Sequence, residues 1–94
     1  DEDFQNEISN LVSQMNPSFR SYLSELILGE NDELTIILSV DGHPSSVFLG
    51  EKSWDEKISK LHKIMKYMRK KKKIPAIINL TNGKKVVVKF NDRS

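Results

Sequence analysis

Cysteine is absent from this chain, which excludes disulfides, thiol catalysis and zinc sites built on thiolates. Glycine is sparse. Gly29, Gly42, Gly50 and Gly83 stand alone and read as turn residues, so no glycine-rich loop is present to cradle a phosphate. Long apolar runs are missing as well. The longest, such as Thr35-Ile36-Ile37-Leu38, are strand-sized and far short of the about 18 residues that a transmembrane helix needs. The two histidines, His43 and His62, have no Ser, Asp or Cys at a spacing that suggests nucleophilic catalysis, and both read as solvent-exposed. Metal-ligand spacing is also lacking, since Glu30-Asn31-Asp32-Glu33 has no calcium-loop order and reads as a polar turn. The chain opens on Asp1-Glu2-Asp3, without Met and without the basic and apolar regions of a secretory leader. It therefore reads as an excised fragment or a processed form, with no enzyme activity and no cofactor expected.

What remains is one domain's worth of residues, 94 in all, 37% apolar and 30% charged. The net charge of +2 hides a division. Residues 1–56 carry twelve acids against Arg20 and Lys52, a net −10, whereas residues 57–94 carry thirteen bases against Asp92, a net +12. Such asymmetry points to an interaction surface without naming the partner.

Phe4, Ile8, Leu11, Val12 and Met15 share one helical face, which predicts an amphipathic helix over residues 3–15, stopped by Asn16-Pro17. From Ser21 the period becomes strand-like, and strands are expected near 21–28, 34–41 and 45–49. Asp41-Gly42 signals a hairpin, with His43-Pro44 lengthening the turn. Ser53 and Glu56 fit a capping box ahead of a helix over 54–72, whose stripe of Trp54, Ile58, Leu61, Ile64, Met65 and Met68 reads as core. Two last strands, near 76–81 and 84–90, flank Asn82-Gly83, a preferred two-residue turn. The fold expected is α+β: a two-layer, five-stranded, mainly antiparallel sheet with both helices on one face. Its core would include Phe4, Tyr22, Leu26, Leu28, Ile36, Leu38, Leu61, Ile78, Leu80, Val86 and Val88.

Two surfaces stand out as candidates for binding. The first is the last strand, rich in β-branched residues, with Val86, Val88 and Phe90 on one face and Lys85, Val87 and Lys89 on the other. At a sheet edge, its unpaired N–H and C=O groups would accept a partner strand; the same lysines would equally serve to deter such pairing. The second is the basic face of the long helix, Lys57, Lys60, Lys63, Lys66, Arg69, Lys70, Lys71, Lys72 and Lys73. It suits nucleic acid or an anionic membrane surface. Nucleic acid is the less favoured partner, because the strands offer few aromatics for stacking and the acidic half would repel it.

The series Leu34-Thr35-Ile36-Ile37-Leu38-Ser39-Val40-Asp41-Gly42, then Val47-Phe48-Leu49-Gly50, then a helix with Lys57, Leu61 and Ile64, then Ile78-Asn79-Leu80-Thr81 and a valine-rich strand covers roughly residues 4–90. In its order it resembles the C-terminal β domain of the bacterial cell-division protein family FtsQ, called DivIB in Gram-positive bacteria. The resemblance implies a single non-enzymatic domain, residues 1–94, cut from a longer chain with a transmembrane helix and a POTRA domain. It implies a location outside the cytoplasmic membrane, in the periplasm or the extracytoplasmic space, within the division machinery. It also implies recruitment of FtsB/DivIC-like and FtsL-like partners by strand addition, carried over here onto Thr81, Asn82, Lys84, Lys85, Val86, Val87, Val88, Lys89 and Phe90.

Overall fold

The computed structural model describes residues 2–90, with side chains from Gln5 onward. The expected core role of Phe4 and the acidic side chains of residues 1–3 lie outside the described residues. Helix α1 (Glu2–Gln14) turns Leu11 inward, with Met15 buried just beyond its end and Ile8 half-buried. Asn16 stops it in extended backbone and starts a second helix, α2 (Pro17–Arg20). The Asn16 side chain accepts a bond from the Phe19 N–H at 3.1 Å, and Pro17 takes the first helical position, where its missing N–H costs nothing. This single turn, absent from the sequence reading, delivers Phe19 into the core at 4% exposure.

The five-stranded mainly antiparallel sheet is as expected, with helices against it, and the chain is an α+β fold. Strands β1 (Leu23–Leu28), β2 (Leu34–Val40) and β3 (His43–Gly50) form an antiparallel meander. Asp41 and Gly42, at φ 51 and 79, make a two-residue turn. His43 and Pro44 do not lengthen it; they pair with Val40 and Ser39 as the first residues of β3. Pro44 is tolerated there because β3 meets its other neighbour only from Ser46 onward. Strand β4 (Ile77–Asn79) then lies parallel to β3, and β5 (Val87–Lys89) pairs antiparallel with β4, giving the order β1-β2-β3-β4-β5.

The crossover between the parallel strands is α3 (Trp54–Lys71), whose Trp54, Ile58, Leu61 and Met65 are buried. They join Ile36, Leu38, Val47, Leu49 and Ile78 in one core with Leu11, Met15 and Phe19. The expected capping box does not form. Ser53 sits in the left-handed region (φ 58, ψ 40), whereas a capping side chain is aimed at the first helical amides from extended backbone. The entry is held instead by Trp54, whose Nε1–H donates to the Gly50 carbonyl at 2.9 Å. At the other end the N–H of Lys73 reaches back to the Met68 carbonyl and that of Lys72 to Arg69, with Lys72 left-handed (φ 58), a Schellman closure ahead of Pro75.

Two expected core residues lie outside: Leu28, at the end of β1, is 40% exposed and Val86 41%. Leu28 ends the edge strand β1, and Val86 lies in the connection ahead of β5, outside the sheet. Gly50 (φ 78) is the glycine with a packing reason, since an added Cβ would approach Thr81 Cγ2 at 3.3 Å, whereas Gly42 (φ 79) opens to empty space. Each Ala substitution meets the left-handed penalty of about 1–2 kcal/mol. Gly50→Ala is expected to be the more destabilising of the two in urea unfolding, because only there must Thr81 also shift.

Candidate functional site

Strand β5 is the outermost strand on its side of the sheet among the described residues. Its inner side is occupied: Lys89 pairs with Ile77, Val88 with Ile78 and Val87 with Asn79, and the Ala76 N–H donates to the Lys89 carbonyl at 2.9 Å. On its outer side no strand follows among the described residues, so within them the outward backbone groups of β5 have no strand partner. The strand is shorter than expected, three residues instead of seven. Residues 80–86 form a connection rather than a tight hairpin. Gly83 does not take positive φ; Asn82 Oδ1 accepts from the Lys84 N–H at 2.9 Å, and the Asn82 carbonyl accepts from the Lys85 N–H at 3.3 Å. Asn82 therefore opens the turn instead of occupying its centre.

The nine candidate partner-binding residues divide accordingly. Val87, Val88 and Lys89 lie in the strand; Val87 is 36% exposed, and half-buried Val88 is the register partner of Ile78, on the same face of the sheet. Phe90 follows at 41% exposure with the Lys73 ammonium 5.8 Å from its ring. Lys84, Lys85 and Val86 are exposed in the connection, so Lys85 does not share a strand face with Val87 and Lys89. Thr81 is fastened to β4, its N–H and Oγ1 donating to Asn79 Oδ1 at 2.9 and 2.7 Å.

The basic helix is divided more sharply. Lys57, expected on the open face, is buried at 8% exposure, and its Nζ donates to the Leu49 carbonyl at 2.6 Å. Leu49 is the extra residue between the pairs Thr35–Phe48 and Leu34–Gly50, a bulge opposite no residue of β2. Burial, with the neighbouring Lys60 charge second, pushes the Lys57 amine below its ordinary value. Lys57 also lines a cleft of about 740 Å³ at the Gly50 end of the sheet, with Thr35, Phe48, Asn79 and Thr81. Lys60 Nζ donates to the Gly83 carbonyl at 3.0 Å and ties the β4–β5 connection to α3. Arg69 lies 5.5 Å from the Tyr22 ring and Lys71 5.7 Å from that of Tyr67. Lys63, Lys66 and Lys70 stay exposed, as does Lys72 at the helix end.

His62 is the other residue misplaced by sequence reasoning. It is half-buried, edge-on to Phe19 with ring centroids 4.6 Å apart, and its Nε2 is enclosed without a hydrogen-bond partner. The signal that would have found it is Phe19, whose burial was not legible without the α2 turn. Burial lowers the His62 pKa from 6.5, and the depression around it holds Lys63, Lys66 and Arg69 but no carboxylate. The unfolded chain thus takes up the proton at higher pH than the folded one. Stability is expected to be full above pH 6.5 and to fall as pH drops through the lowered folded value. Urea unfolding of wild type and His62→Leu at about pH 7.5 and about pH 5 checks this: the acid loss should be smaller in the variant.

No protein-family model, characterised protein or solved structure was found to match the chain.

Proposed function

We propose that this chain is a non-enzymatic interaction module of a membrane-anchored cell-division scaffold, similar to the C-terminal β domain of FtsQ/DivIB. In this reading the domain lies outside the cytoplasmic membrane and recruits FtsB/DivIC-like and FtsL-like proteins. A segment of the partner adds as a further strand alongside β5. The observation that carries the proposal is the sheet order, which leaves β5 outermost with Val87 and Lys89 exposed. Main-chain bonds along the strand supply much of the affinity, and acidic residues in the partner are favoured near Lys84, Lys85 and Lys89. The order of motifs from Leu34 to Phe90 supports the family, and the short length of β5 makes flanking contacts at Val86 and Phe90 part of the surface.

The Lys-rich helix supports binding to nucleic acid or an anionic membrane less well. Lys57 is buried, Lys60 is committed to Gly83, and Arg69, Lys71 and Lys73 lie near aromatic rings. A salt titration against DNA and anionic vesicles should accordingly give weak affinity.

The test is Val88→Pro. Strand β3 takes the main-chain groups of Ile78 and Leu80, so β4 turns those of Ile77 and Asn79 to Lys89 and Val87. The Val88 amide is therefore the one that faces outward, where proline is tolerated. Co-purification with the FtsB/DivIC-like protein of the same genome should weaken by about tenfold or more, about 1.4 kcal/mol, while the thermal melt stays cooperative. Unchanged capture by a folded variant would refute strand addition at β5.

A further inference from the structure

The helices cover one face of the sheet, and the residues of the other face belong to neither the core cluster nor the side chains packed against it. On that open face the register runs in two rows across all five strands. One row is Glu25, Ile37, Ser46, Ile77 and Lys89; the other is Ile27, Thr35, Phe48, Asn79 and Val87. Ile27 is 43% and Val87 36% exposed, Glu25 and Lys89 are exposed, and Ile37, Phe48 and Ile77 are half-buried.

Each row has a chemical symmetry about β3. The first reads acid, apolar, hydroxyl, apolar, base. The second reads apolar, polar, aromatic, polar, apolar. We infer that this face is self-complementary and joins two copies of the chain through a twofold axis running along β3. Rotation about that axis reverses left and right and turns the second sheet to face the first. Glu25 then lies over Lys89 of the second copy, Ile37 over its Ile77, and Ile27 over its Val87. The two Phe48 rings meet at the centre. Thr35 lies over Asn79 of the second copy, whose Oδ1 is already taken by Thr81, leaving the amide NH2 to donate.

Such a contact is isologous, so every pairing occurs twice and the assembly closes at two copies. Aligned sheets stack about 10 Å apart, a distance that suits interdigitating Ile, Val and Phe side chains. Two rows on five strands, about 24 Å by about 14 Å, cover less than half of the about 800 Å² per partner of a stable complex. The dimer is therefore weak, and the two charge pairs fix its orientation. The second copy is the occupant that the charges select, because the acid stands at one sheet edge and the base at the other. This inference does not rest on the strand-addition reading, which uses the main chain of β5 rather than the face.

The experiment is sedimentation velocity of the purified chain, without any other protein, over a concentration series to about 1 mM. The wild type should move from monomer to dimer and no further. Glu25→Lys and Lys89→Glu, both at exposed positions, should each remain monomeric, and the double reversal should restore the dimer. Circular dichroism melts confirm that all four proteins are folded. A wild type that stays monomeric, single reversals that dimerise as well as wild type, a double reversal that does not recover, or growth beyond two copies would each overturn the inference.

Discussion

Val47 of β3 and Ile78 of β4 lie side by side at 0% exposure, in a parallel pairing closed by main-chain bonds from Ser46 to Ala76 and from Leu80 to Phe48. Two parallel strands need a crossover, and α3 supplies it while covering the face on which Val47 and Ile78 stand. With β2 already on the other side of β3, β4 takes the free side of β3, and β5 pairs with the outer side of β4. The position of the last strand at an edge, the open second face and the alignment of its rows are all consequences of this one pairing.

The lysines of α3 serve that arrangement before they serve any ligand. Lys57 supplies an N–H donor to the bulged Leu49 carbonyl at the end of β3, and Lys60 does the same for Gly83 in the β4–β5 connection. The Leu49 carbonyl is buried, and left without a donor it would cost about 1–3 kcal/mol, whereas the Gly83 bond lies at the surface. These two bonds fasten the crossover helix to the strand before it and to the loop after β4. Of the remaining cations at the helix end, Arg69, Lys71 and Lys73 lie near Tyr22, Tyr67 and Phe90, while Lys70 and Lys72 stay exposed, which leaves a basic surface interrupted by aromatic rings.

Much of the fold was legible because its signals are local. The stripe from Trp54 to Met68 marks α3, alternation marks β2, and Asp41-Gly42 marks the first hairpin turn. Where two local signals competed, the tertiary structure chose between them. Ser53 and Glu56 have the capping-box spacing, yet Trp54 anchors the helix entry to Gly50 and leaves Ser53 left-handed. Asn82-Gly83 has the hairpin dipeptide, yet the Asn82 side chain bonds to the Lys84 amide and shifts the turn by one residue. Lys57, three residues after Trp54 and four before Leu61, falls within the apolar arc of the helical wheel, so its burial was legible in the spacing. The bulge at Leu49, a long-range feature, explains only the partner that the Lys57 amine finds. Phe19 and His62 were missed together, since their contact depends on a four-residue helix too short to leave a periodic pattern. Of the candidate site, the strand was legible from β-branched residues near the end of the chain, while its place at an edge was left open by the residues and came only from the resemblance. The length of the strand was not legible, because it depends on how far β4 extends beside it.

The central claim is that the outer side of β5 receives a partner strand. Amide hydrogen exchange of the domain, alone and bound to the FtsB/DivIC-like protein of its genome, tests it most directly. The outward-facing amides of residues 86–90 should exchange rapidly in the free domain and become strongly protected in the complex, with β1 at the opposite edge unchanged. Binding that leaves these amides exchanging as before, or that protects β1 or the α3 face instead, would contradict the account.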